Sequence, residues 1–160
     1  MNWTVLHVRP RCEKKVAEYC VRHKVPSYLP LRSETKIYQR RKVTVAKPVF
    51  PSYVFAEVER PNREVVLKSG NIVRIIEVVD QERFVLELDQ VRKALDVDPT
   101  LGATAAFTRG KRVRILDGPF RGLEGVVETV RGGTRVILNV EAIGQGVPVD
   151  VEMHMLEPAE

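Results

Sequence analysis

Gly110-Lys111-Arg112-Val113-Arg114-Ile115-Leu116-Asp117-Gly118-Pro119-Phe120-Arg121-Gly122-Leu123-Glu124-Gly125-Val126-Val127 reads as strand, tight turn, strand. A β-branched run enters, and Gly118-Pro119 turns it. Gly122 and Gly125 then let the backbone bend sharply before Val126-Val127 starts the next strand. Downstream, Val130, Val136, Ile137, Leu138, Val140, Val147, Val149 and Val151 form short apolar runs. Gly132-Gly133 and Gly144-x-Gly146 break them. Short β-branched strands with turn signals about every ten residues predict a small all-β barrel over 109–160.

Upstream of this run, Asp98-Pro99-Thr100-Leu101-Gly102-Ala103-Thr104-Ala105-Ala106 has small residues and no periodicity, so 98–108 reads as a linker. Residues 1–97 mix the two periodicities. Trp3 to Val8 reads as a strand apolar on both faces, closed by Pro10. Glu13 to His23 reads as a helix with Val16, Ala17, Cys20 and Val21 at helical spacing. Thr35 to Val45 reads as a hairpin whose tip, Gln39-Arg40-Arg41-Lys42, is basic. Val49 to Val58 is a strong strand. Pro61-Asn62 marks a turn, Arg63 to Lys68 a short helix closed by Gly70, Ile72 to Val79 another strand, and Glu87 to Asp96 a helix. The expected class is α+β: an α/β sandwich on a mostly antiparallel sheet, followed by the barrel.

The chain has 160 residues, 44% hydrophobic and 29% charged, an ordinary globular balance. No apolar run approaches the roughly 20 residues that cross a bilayer, and the N-terminus lacks a signal-peptide pattern, so a cytoplasmic protein without a membrane partner is expected. The net charge of +5 is uneven. Residues 1–98 hold 19 Lys/Arg against 13 Asp/Glu, residues 99–160 hold 7 against 8, and Arg9 to Lys47 alone holds 12 against 3. A basic first module of this density suits a polyanion, most often nucleic acid. Cys12 and Cys20, eight apart on a helix, would lie about 12 Å apart, too far for a disulfide. His7, His23 and His154 show no metal-ligand spacing. No Ser-His-Asp set, paired carboxylates or P-loop occurs, and Asp80 and Glu82 fall in a polar turn. The expectation is a protein that is not an enzyme and carries no cofactor.

Two segments carry a family resemblance. Gly110 to Val127 resembles the KOW motif of SH3-like barrels. Lys47-Pro48-Val49-Phe50-Pro51-Ser52-Tyr53-Val54-Phe55, preceded by Trp3-Thr4-Val5-Leu6 and Tyr28-Leu29-Pro30, resembles the NusG N-terminal domain. Together they span nearly the whole chain and identify it as a member of the NusG family of transcription elongation factors, closest to a specialised RfaH-type antiterminator.

The resemblance implies a monomer whose N-terminal domain grips bacterial RNA polymerase at the clamp helices of the largest subunit. The clamp patch would comprise Phe50, Pro51, Tyr53 and Phe55, with Tyr53 and Phe55 facing outward and Val54 turned to the core. Arg9, Arg11, Arg22, His23 and Lys68 match the surface that touches the exposed non-template DNA strand. Asn62 and Arg63 match the gate-loop contact, although the His-Thr-Thr run found there in RfaH is absent. Ile143 and Gly144 match the loop that holds NusE (and so the ribosome) or Rho, and the isoleucine leans towards NusE. Lys47 stands where RfaH has an acidic residue that helps clamp its C-terminal domain in a helical form, so a resting β-barrel is expected. The rival readings are a general NusG that stimulates Rho-dependent termination and a KOW-type ribosome-binding protein.

Overall fold

A computed structural model describes residues 2–104 and 110–159. These divide into two compact units, one of residues 1–30 with 50–85, the other of residues 31–49 with 86–160. The expected linker at 98–108 is described as far as 104, and its remainder to 108 lies outside the described residues.

The first unit is built on a four-stranded antiparallel sheet in the order β2-β5-β1-β6. These strands are β1 (Trp3–Val8), β2 (Ser27–Tyr28), β5 (Tyr53–Glu57) and β6 (Ile72–Glu77). Register sorts the side chains: Leu6 pairs with Val54 and Thr4 with Ala56 on one face, Val5 with Phe55 and His7 with Tyr53 on the other. Helices α1 (Glu13–Arg22) and α2 (Arg63–Leu67) cover the first face, where Leu6, Val8, Val16, Cys20, Val54, Ala56 and Val66 form one buried cluster. Val16 and Cys20 are one helical turn apart and point the same way. Val21, expected on that face, is exposed because it lies about 100° round the helix from Cys20. Both cysteines are free, and burial pushes the Cys20 thiol up.

The second sheet face is also covered. Helix α3 (Gln81–Val97) begins six residues earlier than the sequence pattern suggested. Asp80 starts it: its carboxylate accepts the Arg83 N–H at 3.1 Å and its carbonyl the Phe84 N–H at 3.1 Å. Gln81 then works as a short piece of strand edge. Its Oε1 accepts the Trp3 N–H at 2.7 Å, and its Nε2 donates to the Trp3 carbonyl at 2.8 Å and to that of Val78 at 2.9 Å. The first turn of α3 thereby lands Phe84 on Phe55, with ring centroids 5.5 Å apart in an edge-on arrangement.

The second unit contains a hairpin, β3 (Leu31–Tyr38) and β4 (Arg41–Pro48), the rest of α3, and a five-stranded antiparallel sheet ordered β10-β9-β8-β7-β11. Its strands are β7 (Arg112–Ile115), β8 (Glu124–Val130), β9 (Gly133–Val140), β10 (Gln145–Val151) and β11 (Leu156–Pro158). Val113, Ile115, Leu123, Val136 to Leu138, Val140, Val147 and Val149 are buried. Three consecutive buried residues on β9 mean that this central strand is covered on both faces. Gly125 shows why the motif needs glycine. A Cβ there would stand 2.3 Å from the Ile137 carbonyl oxygen across the ladder. From 110 on, the described residues form β-strands joined by turns and two short 3-10 turns, with no α-helix among them, as the β-branched content favours. The Gln90 side chain pairs with Glu124 of β8 through both backbone groups, donating at 2.9 Å and accepting at 2.7 Å.

Candidate functional site

The aromatic segment turns out to be a bend followed by a short strand. Val49 to Val58 was expected as one strand, but the prolines at 48 and 51 lack N–H donors and Ser52 takes φ 72°. The Tyr53 N–H folds back to the Phe50 carbonyl at 3.2 Å, so β5 starts only at Tyr53. Buried Glu13, in the first turn of α1, fixes this bend. Its Oε2 accepts the Ser52 N–H at 2.8 Å, and the Ser52 carbonyl accepts the Val8 N–H at 2.8 Å. Three elements therefore set the position of Tyr53.

Tyr53 and Phe55 share a face, and Val54 is buried on the opposite one. The expected outward direction of Phe55 is corrected. Phe55 is 0% exposed and Phe50 1%, with the Phe50 ring 6.0 Å from Phe55 on one side and Phe84 on another. Phe84 supplies the physical reason, because the sequence reading began the helix too late to bring it over the strand. Of the four residues, Pro51 is exposed and Tyr53 half-buried. Tyr53 has a neighbour the sequence did not single out: the His7 ring, 5.4 Å away in a tilted pair. The cross-strand pairing of His7 with Arg74 extends this surface to β6.

The basic candidates fall at the two ends of α1, about 15 Å apart along ten residues. Arg9 and Arg11 are exposed in the turn that enters the helix, where Arg11 takes φ 67° and the Arg9 N–H is held by the Asn71 carbonyl at 2.9 Å. Arg22 and His23 close the helix, also exposed. There Tyr19 organises a stack: His23 lies over it at 4.0 Å between centroids, and the Arg22 guanidinium carbon is 6.0 Å from its ring centre. The Tyr19 hydroxyl donates to the Val65 carbonyl at 2.7 Å, tying α2 beside α1. Lys68, exposed, caps the C-terminal end of α2. Tyr19 was missed, although its spacing of three and four to Arg22 and His23 on a predicted helix carried the signal. Asn62 ends a short 3-10 turn at Arg60–Asn62, and Arg63 pairs with Glu77 at 3.0 Å.

In the second unit, Ile143 closes the 3-10 turn Glu141–Ile143, and Gly144 follows at φ 63°. Both are half-buried. The Glu141 N–H at the head of this turn faces the Glu87 carboxylate of α3 at 3.3 and 3.4 Å. Among the described residues, no group of His, Cys, Asp or Glu could hold a metal ion, and no helix is long and apolar enough to cross a membrane.

The family model described as transcription termination factor nusG matches residues 1–95. The transcription termination/antitermination protein NusG of Thermus thermophilus is 27% identical, with 99% of each chain covered. That of Bacillus subtilis is 23% identical, over 98% of this chain and 97% of its own. A solved structure of Thermotoga maritima NusG covers 99% of this chain and 97% of that one, with a TM-score of 0.54 and 18% identity, a likeness of fold. The family match takes in more than half of the chain, including β1, α1, the Phe50–Phe55 segment and most of α3. The chain belongs to the NusG family of transcription termination and antitermination factors, whose members are not enzymes.

Proposed function

We propose that this protein is a cytoplasmic, monomeric elongation and antitermination factor of the RfaH-like kind, working as a bridge with no chemistry of its own. Residues 1–97 bind the clamp helices of bacterial RNA polymerase, 98–108 act as a tether, and 109–160 recruit a second factor. Tyr53 and Pro51 form the exposed part of the clamp patch, with His7 beside them and Phe50 and Phe55 as the buried support. Arg9, Arg11, Arg22, His23 and Lys68 bind the upstream non-template strand by phosphate neutralisation and stacking. Asn62 and Arg63 face the gate loop, and Ile143 with Gly144 holds NusE or Rho. A factor that binds the elongating polymerase better than the paused one suppresses pausing by that difference in affinity. A tethered second domain acts at high effective concentration.

The observation that carries this reading is the family match over residues 1–95, combined with exposed cations at both ends of α1. The relatives are named transcription termination/antitermination protein NusG, which supports a second reading, a general NusG, for which we propose assistance to Rho. Single-round transcription by purified bacterial polymerase, with and without Rho, separates the two. Fewer pauses and readthrough at Rho sites, both lost in Tyr53→Ala, support the specialised factor. Earlier Rho termination supports the general one, and no effect on any template overturns both. Tyr53→Ala is the informative variant because Phe55→Ala would open the core.

A further inference from the structure

The β3–β4 hairpin carries no role in the reading above. Thr35 to Thr44 is an unbroken run of exposed residues on two regularly paired strands, so the ribbon is open on both faces. From Thr35 to Lys47 the sequence holds five Lys/Arg and no acidic residue. The register separates the faces. Tyr38 lies opposite Arg41, Lys36 opposite Val43, Glu34 opposite Val45, and Arg32 opposite Lys47, all on one side. Ile37 with Lys42 and Thr35 with Thr44 lie on the other. The first face is therefore a basic stripe with an aromatic near its end, and Tyr38 is 67% exposed.

The charge on this face exceeds what the protein satisfies. Glu34 pairs with Arg32 at 3.2 Å and Lys47 at 3.0 Å, one carboxylate between two cations. A hydrogen bond with Lys47, reinforced by its charge, pulls the nearby Lys36 ammonium below the usual lysine range. The tip tells the same story. Gln39 and Arg40 take φ 49° and 64°, the backbone of a two-residue turn that ordinarily carries Asn-Gly. Holding an arginine there costs about 1–2 kcal/mol and places a long cation at the extreme end of the ribbon.

We propose that this ribbon is a second nucleic-acid contact, seated in the major groove of double-helical B-form DNA with its Lys36–Tyr38–Arg41 face inward and Arg40 reaching the phosphates. The dimensions select this ligand. Two strands about 4.8 Å apart, with their side chains, match a groove about 12 Å wide that admits a β-ribbon. Four exposed residues per strand reach about 14 Å, more than the groove depth of about 8.5 Å. The A-form major groove of duplex RNA is too narrow to accept it.

The test uses the full chain without polymerase, which separates it from the polymerase-binding reading. A labelled DNA duplex of about two helical turns (~21 base pairs) is titrated by fluorescence anisotropy at several salt concentrations. The RNA duplex of the same sequence and the single strand are titrated alongside. The wild type should prefer the DNA duplex to the RNA duplex. The triple variant Lys36→Ala/Arg40→Ala/Arg41→Ala should flatten the slope of log K against log salt by about 0.9 per lost phosphate contact, so by two to three. Lys42→Ala, removing a cation from the opposite face, should change the slope by less than Arg41→Ala. Circular dichroism should remain that of the wild type, because every substituted side chain is exposed. Equal binding to duplex RNA, a triple variant that weakens the single strand as much as the DNA duplex, equal effects of Lys42→Ala and Arg41→Ala, or an unchanged slope in the triple variant would each overturn the proposal.

Discussion

Replacing Gln81 should separate two kinds of lost hydrogen bond. The side-chain amide makes one bond as acceptor, from the Trp3 N–H, and two as donor, to the carbonyls of Trp3 and Val78. Trp3 and Gln81 are half-buried, so water recovers part of what Gln81→Ala removes. At about 0.5–1.5 kcal/mol per net bond, that variant should lose about 1.5 kcal/mol. Gln81→Glu keeps the acceptor but turns a carboxylate oxygen towards two carbonyls, and should lose about 3 kcal/mol at neutral pH. The sign with pH follows. Carbonyl oxygens around the new carboxyl disfavour its charged form, raising its folded pKa above the unfolded value near 4.3. The protonated form's advantage is thus present in full below about pH 4 and lost as pH rises through the folded pKa. The gap between the two variants should narrow in acid, where the carboxylic acid donates one bond. Trp3, the sole tryptophan, is itself the partner, so its emission during urea unfolding reads the event locally. If Gln81→Glu were no less stable than Gln81→Ala at pH 7, the assignment of the amide as donor to both carbonyls would be wrong.

Gly125→Ala should cost about 3 kcal/mol or more, because the new methyl meets the Ile137 backbone across the ladder as well as the Val136 side chain, and a urea midpoint will read it. Tyr19→Phe keeps the stack with His23 but loses the bond to Val65, so a fall of about 1 kcal/mol is expected with ring shifts of His23 nearly unchanged by NMR. The Asp98 carboxyl is held below its usual range by the Thr100 hydroxyl at 2.6 Å and then its N–H at 3.0 Å. That turn is stabilised above the unfolded pKa near 3.9 and loosens as pH falls through the lower folded value, a change that a Thr100 amide titration would follow and that Thr100→Val, which removes the hydroxyl but keeps the N–H bond, would diminish. Substituting Asn-Gly for Gln39-Arg40 should slow amide exchange along the hairpin while weakening duplex binding.

Local periodicity made much of this fold legible. β1 lies where its two-sided apolar pattern placed it, the hairpin follows from its alternation although its strands run beyond the expected Thr35 to Val45, and the strand–turn–strand at Gly118-Pro119 follows from turn chemistry. The start of α3 escaped because Asp80-Gln81-Glu82-Arg83 looks like a polar turn. Its helical state depends on a cap at Asp80 and on a long-range contact with Trp3. That omission propagated to the site. Alternation placed Tyr53 and Phe55 on one face correctly, but whether a face is open depends on what packs there, and the ring that covers Phe55 comes from a segment 29 residues further along. The His7–Tyr53 pair was hidden for the same reason, since neighbours across a sheet are set by register.

Leu31 and Pro48 lie directly opposite each other, so the chain leaves and re-enters at one point. Ser33, near the base, is held by the Pro99 carbonyl at 2.7 Å, and the ribbon beyond it, from Thr35 to Thr44, is a closed excursion of exposed residues. Parity constrains it. Deleting one residue from each strand near the base draws the tip in by about 3.4 Å and turns every side chain beyond it to the other face. Only changes of two pairs at a time preserve the direction of Tyr38 and Arg41. Relatives that vary this ribbon while keeping its orientation should therefore differ in steps of about 6.8 Å, a quantised reach that can be read directly from the spacing of the flanking prolines.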